Sequence, residues 1–426
     1  MLSLEKDSTL ILAKVSRGQR VYIPSGLNTR VLLSSKNQKW LNHLDKFNYL
    51  LSYLYFIRAT HVKYRKNDFI PLHAATFRQY VGRRLAADIV SFWIEQGVIE
   101  ENAQYIVGKK SKGYRFTSEY RNRKFIDVGV IDERFEKRLR TLEARRQSTF
   151  DTSYTPHAFL SFNLHELRIE AERAIHYLNC EALLADAVED ANVIFSEQHL
   201  VIKTVEERRF WIKRDTTGNR IHNNLTNLRA DMRQFLYLET GEQLVNLDIR
   251  NSQPLILCVL LKKHFDKQMP VDMLAYIEQC EKGQLYEALM DHFDLPIAER
   301  TEKARKAFKK RVFGNVFYGK NSTAPNKKDW RLFAELYPSV AGFIYDRKKH
   351  DYTQLPIDMQ RMEAEIMIDG VIGEIAKGYY PQDFFALTIH DSVVTTRENA
   401  EYVKYLMQLE FAKFGINPTI QQENLN

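Results

Sequence analysis

Two aspartates stand at the ends of apolar runs. In Leu244-Val245-Asn246-Leu247-Asp248 the run reads as a buried strand, with Asp248 where a carboxylate can face a cleft. In Ala386-Leu387-Thr388-Ile389-His390-Asp391-Ser392-Val393-Val394 one apolar run enters His-Asp-Ser and another follows. That pattern predicts a tight β-hairpin with Asp391 at its tip. Between them lies a basic segment, residues 301–319. Its Arg305, Lys309, Phe313 and Phe317 are each four apart, so they share one helix face. Lys306 and Lys310 form a parallel row beside them, ending near Gly314 and Tyr318.

Taken singly these features are ordinary. An aspartate at a strand end is commonly a turn residue, and a lysine row on a helix is commonly solvated. Together they describe one chemistry. Two carboxylates from separate strands repel unless a cation lies between them. Two Mg²⁺ ions, with Mn²⁺ as a substitute, would supply it and clamp the attacking and leaving oxygens of a phosphoryl transfer. A basic helix facing them would grip a triphosphate and neutralise charge on departing pyrophosphate. Aromatic side chains on the same face would stack on a base.

This order resembles motifs A, B and C of the family A DNA polymerases and the related single-subunit phage-type RNA polymerases. Motif C of the RNA polymerases reads His-Asp-Ser, as residues 390–392 do here. Thr217-Gly218-Asn219-Arg220 with Asn227-Leu228 resembles the stretch before motif A. Leu336-Tyr337-Pro338-Ser339-Val340 resembles the segment after motif B, and Met359-Gln360-Arg361-Met362-Glu363-Ala364-Glu365 the glutamine-bearing helix before motif C. The resemblance covers about residues 205 to 415. It implies an α+β fold, with a right-hand palm and fingers over 206–426 and an antiparallel palm sheet carrying both aspartates. It also implies a DNA template with a primer or nascent strand, and NTPs or dNTPs, as partners.

Roles follow from the same resemblance. Asp248 and Asp391 would be the metal ligands. Lys310 would bind the nucleotide phosphates and help protonate pyrophosphate, with Arg305, Lys306, Lys309 and Phe313 beside it. Tyr318 would sit at the insertion site and His390 near the primer terminus. Arg220, Arg233 and Gln360 would contact template or primer, while Arg250 and Gln253 would orient substrate. Glu363 and Glu365 read equally as supports of the site or as surface charges.

The sequence departs from the family pattern in two places. Counting forward from Arg305 gives Lys309 and Phe313, whereas counting back from Tyr318-Gly319 selects Lys306 and Lys310. The distinctive Tyr-Gly pair favours Lys310. In motif A, Ser252-Gln253 come two residues late, and Leu255 stands where the DNA polymerases place a glutamate that crowds the 2′-OH. That loss and Ser392 both tilt toward an RNA-making or sugar-tolerant enzyme; the alternatives are a family A-like DNA polymerase without proofreading and a non-catalytic DNA-binding replication or regulatory protein with a degenerate polymerase fold. A compact polymerase joined to a DNA-binding module would suit priming, copying or transcription in a phage, plasmid or mobile element.

The elements that position these residues are part of a larger chain. Its 426 residues suffice for two or three domains. Residues 1–37 read as an extension. Residues 38–120 read as helices followed by a basic hairpin, the order of a winged helix. Lys109, Lys110, Lys112 and Arg115 on its wing would lie along a phosphate backbone. Residues 121–205 read as a basic linker, with Arg134, Lys137, Arg138, Arg140, Arg145 and Arg146, and a reduced thumb-like helical region. The net charge of +8 favours polyanionic partners. Cys180, Cys258 and Cys280 form no CxxC pair or disulfide framework, so a reducing cytoplasm is the expected compartment. Neither a signal peptide nor a membrane span is expected.

Overall fold

The computed structural model describes residues 19–425, apart from 62–63, 65–67, 103–110, 148–149, 185–187 and 266–267. The chain is mixed α+β and divides into two compact units. One comprises residues up to 149 with 168–211 and 227–235. The other comprises 150–167, 212–226 and 236 onward.

In the first unit, helix Leu44–Thr60 buries Phe47, Leu50, Leu51 and Leu54 at helical spacing. Helices Ala74–Val81 and Leu85–Glu95 pack their apolar faces into the same core, where the Trp93 indole donates to Phe47 O at 2.8 Å. A three-stranded antiparallel sheet follows, with Gly113–Phe116 between Ile70–Pro71 and Ile99–Asn102. The charged stretch after residue 120 belongs to this unit. Strand Phe125–Gly129 pairs antiparallel with Arg20–Pro24. Helix Glu133–Gln147 inserts Phe135 and Leu139 into the core. Two apolar residues four apart suffice to anchor an otherwise polar helix, which is why its charge density conceals its packing.

The second unit is built on a four-stranded antiparallel sheet in the order Ala386–Ile389, Ser392–Thr396, Leu244–Ile249, Ile420–Asn424. The two inner strands, 244–249 and 392–396, are almost wholly buried, the polar Asn246, Thr395 and Thr396 included. Helix Ser252–Phe265 starts after a two-residue turn and buries Leu255 through Val259. Helices Val271–Glu281, Lys328–Leu336 and Pro338–Arg347 share an aromatic cluster of Tyr276, Phe333 and Tyr337. Helix Gln354–Ala364 passes without interruption into a wider, π-helical stretch, Glu365–Ile372. Among the described residues, no helix is long and apolar enough to cross a membrane.

Candidate active site

Asp248 is the penultimate residue of its strand, half-buried, and pairs across the ladder with Ser392. His390 and Asp391 form the two-residue turn joining Ala386–Ile389 to Ser392–Thr396. His390 takes the left-handed conformation that such a turn requires at its first position, with φ 58°. Paired Cα atoms in a ladder lie about 5 Å apart and successive ones 3.8 Å, so the two aspartate Cα atoms lie within about 9 Å. Both residues are half-exposed at the same end of the two inner strands.

Around this end runs a continuous hydrogen-bonded chain. Tyr318 OH donates to Gln253 Oε1 at 3.1 Å, and Gln253 Nε2 donates to Glu363 Oε2. The same carboxylate oxygen accepts from Arg220 Nη2 at 2.6 Å. Glu363 is 2% exposed, and its other oxygen has no partner among the described residues. Burial pushes its carboxyl up to about 7. Arg220 pulls it down, the Asp391 charge pushes it up, and Gln253 pulls it down. The half-buried Tyr318 phenol is also raised, chiefly by burial.

A second cluster supports the first. Asp215 accepts from the backbone N–H groups of Thr217, Gly218 and Arg220 and from His222 Nε2, closing a turn that aims Arg220. Burial pushes the Asp215 carboxyl up, but donors from Gly218, His222 and Thr217 outweigh it and hold it below the usual range. The His222 ring lies edge-on to His390, with centroids 5.6 Å apart. Gly218 sits directly on Gln360: a Cβ there would fall 2.4 Å from Gln360 Oε1. That close approach is the physical reason for glycine in Thr-Gly-Asn-Arg.

Two residues separate the strand that carries Asp248 from the helix that carries Gln253. The strand ends at Ile249, Arg250-Asn251 turn the chain with Asn251 at φ 54°, and the helix begins at Ser252. Asparagine tolerates that conformation better than most residues. Gln253 therefore still faces the cluster, while Leu255 points into the core at 0% exposure. Arg250 extends elsewhere, packing on Gly283 and bonding Gln421.

The basic helix spans Glu302–Val312 and opens into a π-helical turn, Phe313–Phe317. The bond from Tyr318 N to Phe313 O (2.9 Å) spans five residues rather than four, so this turn holds one extra residue. Both counts made from the sequence then describe one helix. Crossing the wide turn, the residue eight positions before Tyr318 in a regular helix becomes the ninth, which is Lys309. Arg305, Lys306, Lys309 and Lys310 are all exposed. Arg305 pairs with Glu287, Lys306 with Glu302, and the Lys309 ammonium lies 5.0 Å over the Tyr286 ring.

Other expected contacts belong to the first unit or lie on the surface of the second. Arg233 lies in the first unit. So does the expected wing: Lys112 is paired with Glu101, and Arg115 with Glu100 and over Phe69. Lys109 and Lys110 lie outside the described residues. Glu365 is exposed, 3.8 Å from Lys263. Glu363, which the sequence left open between a support of the site and a surface charge, is buried and bonded to Arg220 and Gln253. Its one legible signal was an acidic residue within an otherwise apolar helix face.

Among the described residues no three His, Cys, Asp or Glu side chains converge as a metal cage. Mg²⁺, however, retains several waters and is held by one or two carboxylates plus substrate phosphates, so the pair Asp248 and Asp391 fits such an ion.

No family model and no curated protein matches this sequence. Among solved structures, the chain is similar to the POL domain of Pol1 from M. smegmatis in complex with DNA primer-template and dNTP. The identity is 11% and the TM-score 0.40, over 59% of this chain; the match spans 55% of that chain's length.

Proposed function

We propose that this chain is a template-directed nucleotidyltransferase that makes RNA or primers, with its catalytic centre at one end of the 244–249 and 392–396 strands. The observation that carries this reading is the pairing of Asp248 with Ser392, which brings two sequence-distant aspartates to the same end of the two inner strands beside a buried polar chain. Asp248 and Asp391 would hold Mg²⁺, or Mn²⁺ in its place, which when bound supplies charge stabilisation at the transferring phosphate. Exposed Lys309, with Arg305 one turn before it, grips the triphosphate as it arrives. Tyr318, fixed through its hydroxyl by Gln253, presents its ring as a rigid surface for the incoming base. Arg220 and Gln253 hold the Glu363 carboxylate, which keeps that surface from drifting. With Leu255 in the core, no acidic side chain from motif A crowds the sugar, which favours ribonucleotides or tolerance of both sugars.

Primer extension and unprimed synthesis on a defined single-stranded DNA template test this reading, with NTPs and dNTPs supplied separately in Mg²⁺. Template-complementary product is expected, with NTPs used at least as well as dNTPs. Tight DNA binding without incorporation under any condition would leave a non-catalytic DNA-binding protein.

The wide turn makes a further expectation. Lys309→Ala is expected to raise the KM for nucleotide about 10- to 100-fold, the worth of a charge-assisted contact. Lys310→Ala is expected to raise it less than about 3-fold. The reverse order, measured by steady-state extension, would restore the count taken back from Tyr318-Gly319.

A further inference from the structure

Lys348 is 2% exposed, at the end of helix Pro338–Arg347, and no carboxylate pairs with it among the described residues. Long cationic side chains are almost never fully buried without a counter-charge, so this one needs a reason. Its Nζ donates to Val316 O at 2.8 Å and to Gly319 O at 2.9 Å, and it lies 5.2 Å over the Trp330 ring. Those two carbonyls bracket Phe317-Tyr318. A π-helical turn leaves carbonyls that the regular helical ladder does not satisfy, and an ammonium is a strong donor for them. Gly319 makes the arrangement tight: a Cβ there would fall 2.9 Å from Gly314 O, which is backbone and cannot swing away.

We propose that Lys348 is a positioning residue. It clamps the open end of the wide turn, so that Tyr318 holds its place against Gln253 and the nucleotide site. This rests on the polymerase reading above. The charged and titratable groups on the elements packed around it are otherwise engaged or turned outward. Asp329 binds Arg311 and Asn315, Arg347 binds Asp358, Lys320 lies over Tyr352, and the Tyr318 hydroxyl bonds Gln253. Asp346 and Lys349 are exposed. Burial alone pushes the Lys348 ammonium down to about 8. Above that pH the amine retains weaker donors without the charge. The global effect has the opposite sign. Between about pH 8 and the ordinary lysine value the unfolded chain binds more protons, so stability rises with pH while the clamp weakens.

The test compares wild type, Lys348→Met and Lys348→Arg in the full chain, from pH 7 to 9.5. It reads KM and kcat for single-nucleotide extension, and hydrogen exchange of the 313–320 amides corrected for intrinsic base catalysis. In wild type, KM is expected to rise about 3- to 10-fold across this range, with kcat changed less, and protection of 313–320 to fall in step. Lys348→Met is expected to show the high KM and low protection already at pH 7, without the further rise above pH 8 that wild type shows. Lys348→Arg, charged throughout, is expected to remove the wild-type rise. Wild-type pH behaviour in either variant, with unchanged protection, would overturn the clamp. If wild type makes no product, the polymerase reading fails, and exchange at 313–320 still decides whether Lys348 holds the turn.

Discussion

Replacing Asp391 with alanine is expected to reduce nucleotide incorporation by at least about 10³-fold, equivalent to about 4 kcal/mol of transition-state stabilisation, while leaving the fold intact. The side chain sits half-exposed in a two-residue turn, so its removal takes little volume from the core. Its charge pushes the buried Glu363 carboxyl up, so deleting it relieves repulsion inside the site. The variant should therefore melt at the wild-type temperature or slightly above it. Single-turnover extension beside a thermal melt separates the two readouts. A variant that is stable and still active within tenfold of wild type would exclude Asp391 from the chemistry.

The second large effect is on stability. Arg220→Ala strips the cation from a carboxylate that is 2% exposed, and removing one partner of a buried pair costs about 3–5 kcal/mol. The cost depends on pH, and the sign follows from Glu363. Its folded value, raised to about 7, lies above its ordinary one, so between them the native state holds the proton more tightly than the unfolded chain. That contribution is full at low pH and is lost as pH rises through 7. Without Arg220 the carboxyl is held up further. The variant can then escape by staying protonated at pH 6 but not at pH 8.5. Urea denaturation should show a penalty that grows by about 1–2 kcal/mol between these pH values. The double variant Arg220→Ala with Glu363→Gln should recover much of the loss at pH 8.5, because no buried charge then remains unpaired. An equal penalty at both pH values, or no recovery, would mean that the pair does not carry this part of the fold.

These effects depend on features of unequal legibility. The strands around Asp248 and Asp391, the turn at His390-Asp391 and the basic helix were readable, because apolar runs and helical spacing are local patterns. The charged segment 133–147 read as a linker because composition reports average polarity, whereas its packing rests on a few apolar side chains, Phe135 and Leu139 with the partly buried Leu142. Counting back from Tyr318-Gly319 favoured Lys310 over Lys309, because the count assumes a regular helix. The extra residue in the 313–317 turn is a matter of which carbonyl Tyr318 N–H reaches, and that is a property of the folded backbone with no signature in residue spacing. Glu363 and Glu365 lie two apart on one helix and are the same in type. One is buried against Arg220 and the other is exposed.

The sequence by itself determined the carriers of charge and the local elements that bear them: two aspartates at strand ends, a cationic helix face and a Tyr-Gly pair. Side-chain periodicity needs only neighbours a few residues away. Tertiary structure alone decided the company those residues keep. The pairing of Asp248 with Ser392 joins positions 144 apart, and the chain from Tyr318 through Gln253 to Glu363 and Arg220 draws on four separate segments. Such contacts are set by which apolar faces must be buried together, and burial then fixes which polar groups lose water and must satisfy one another.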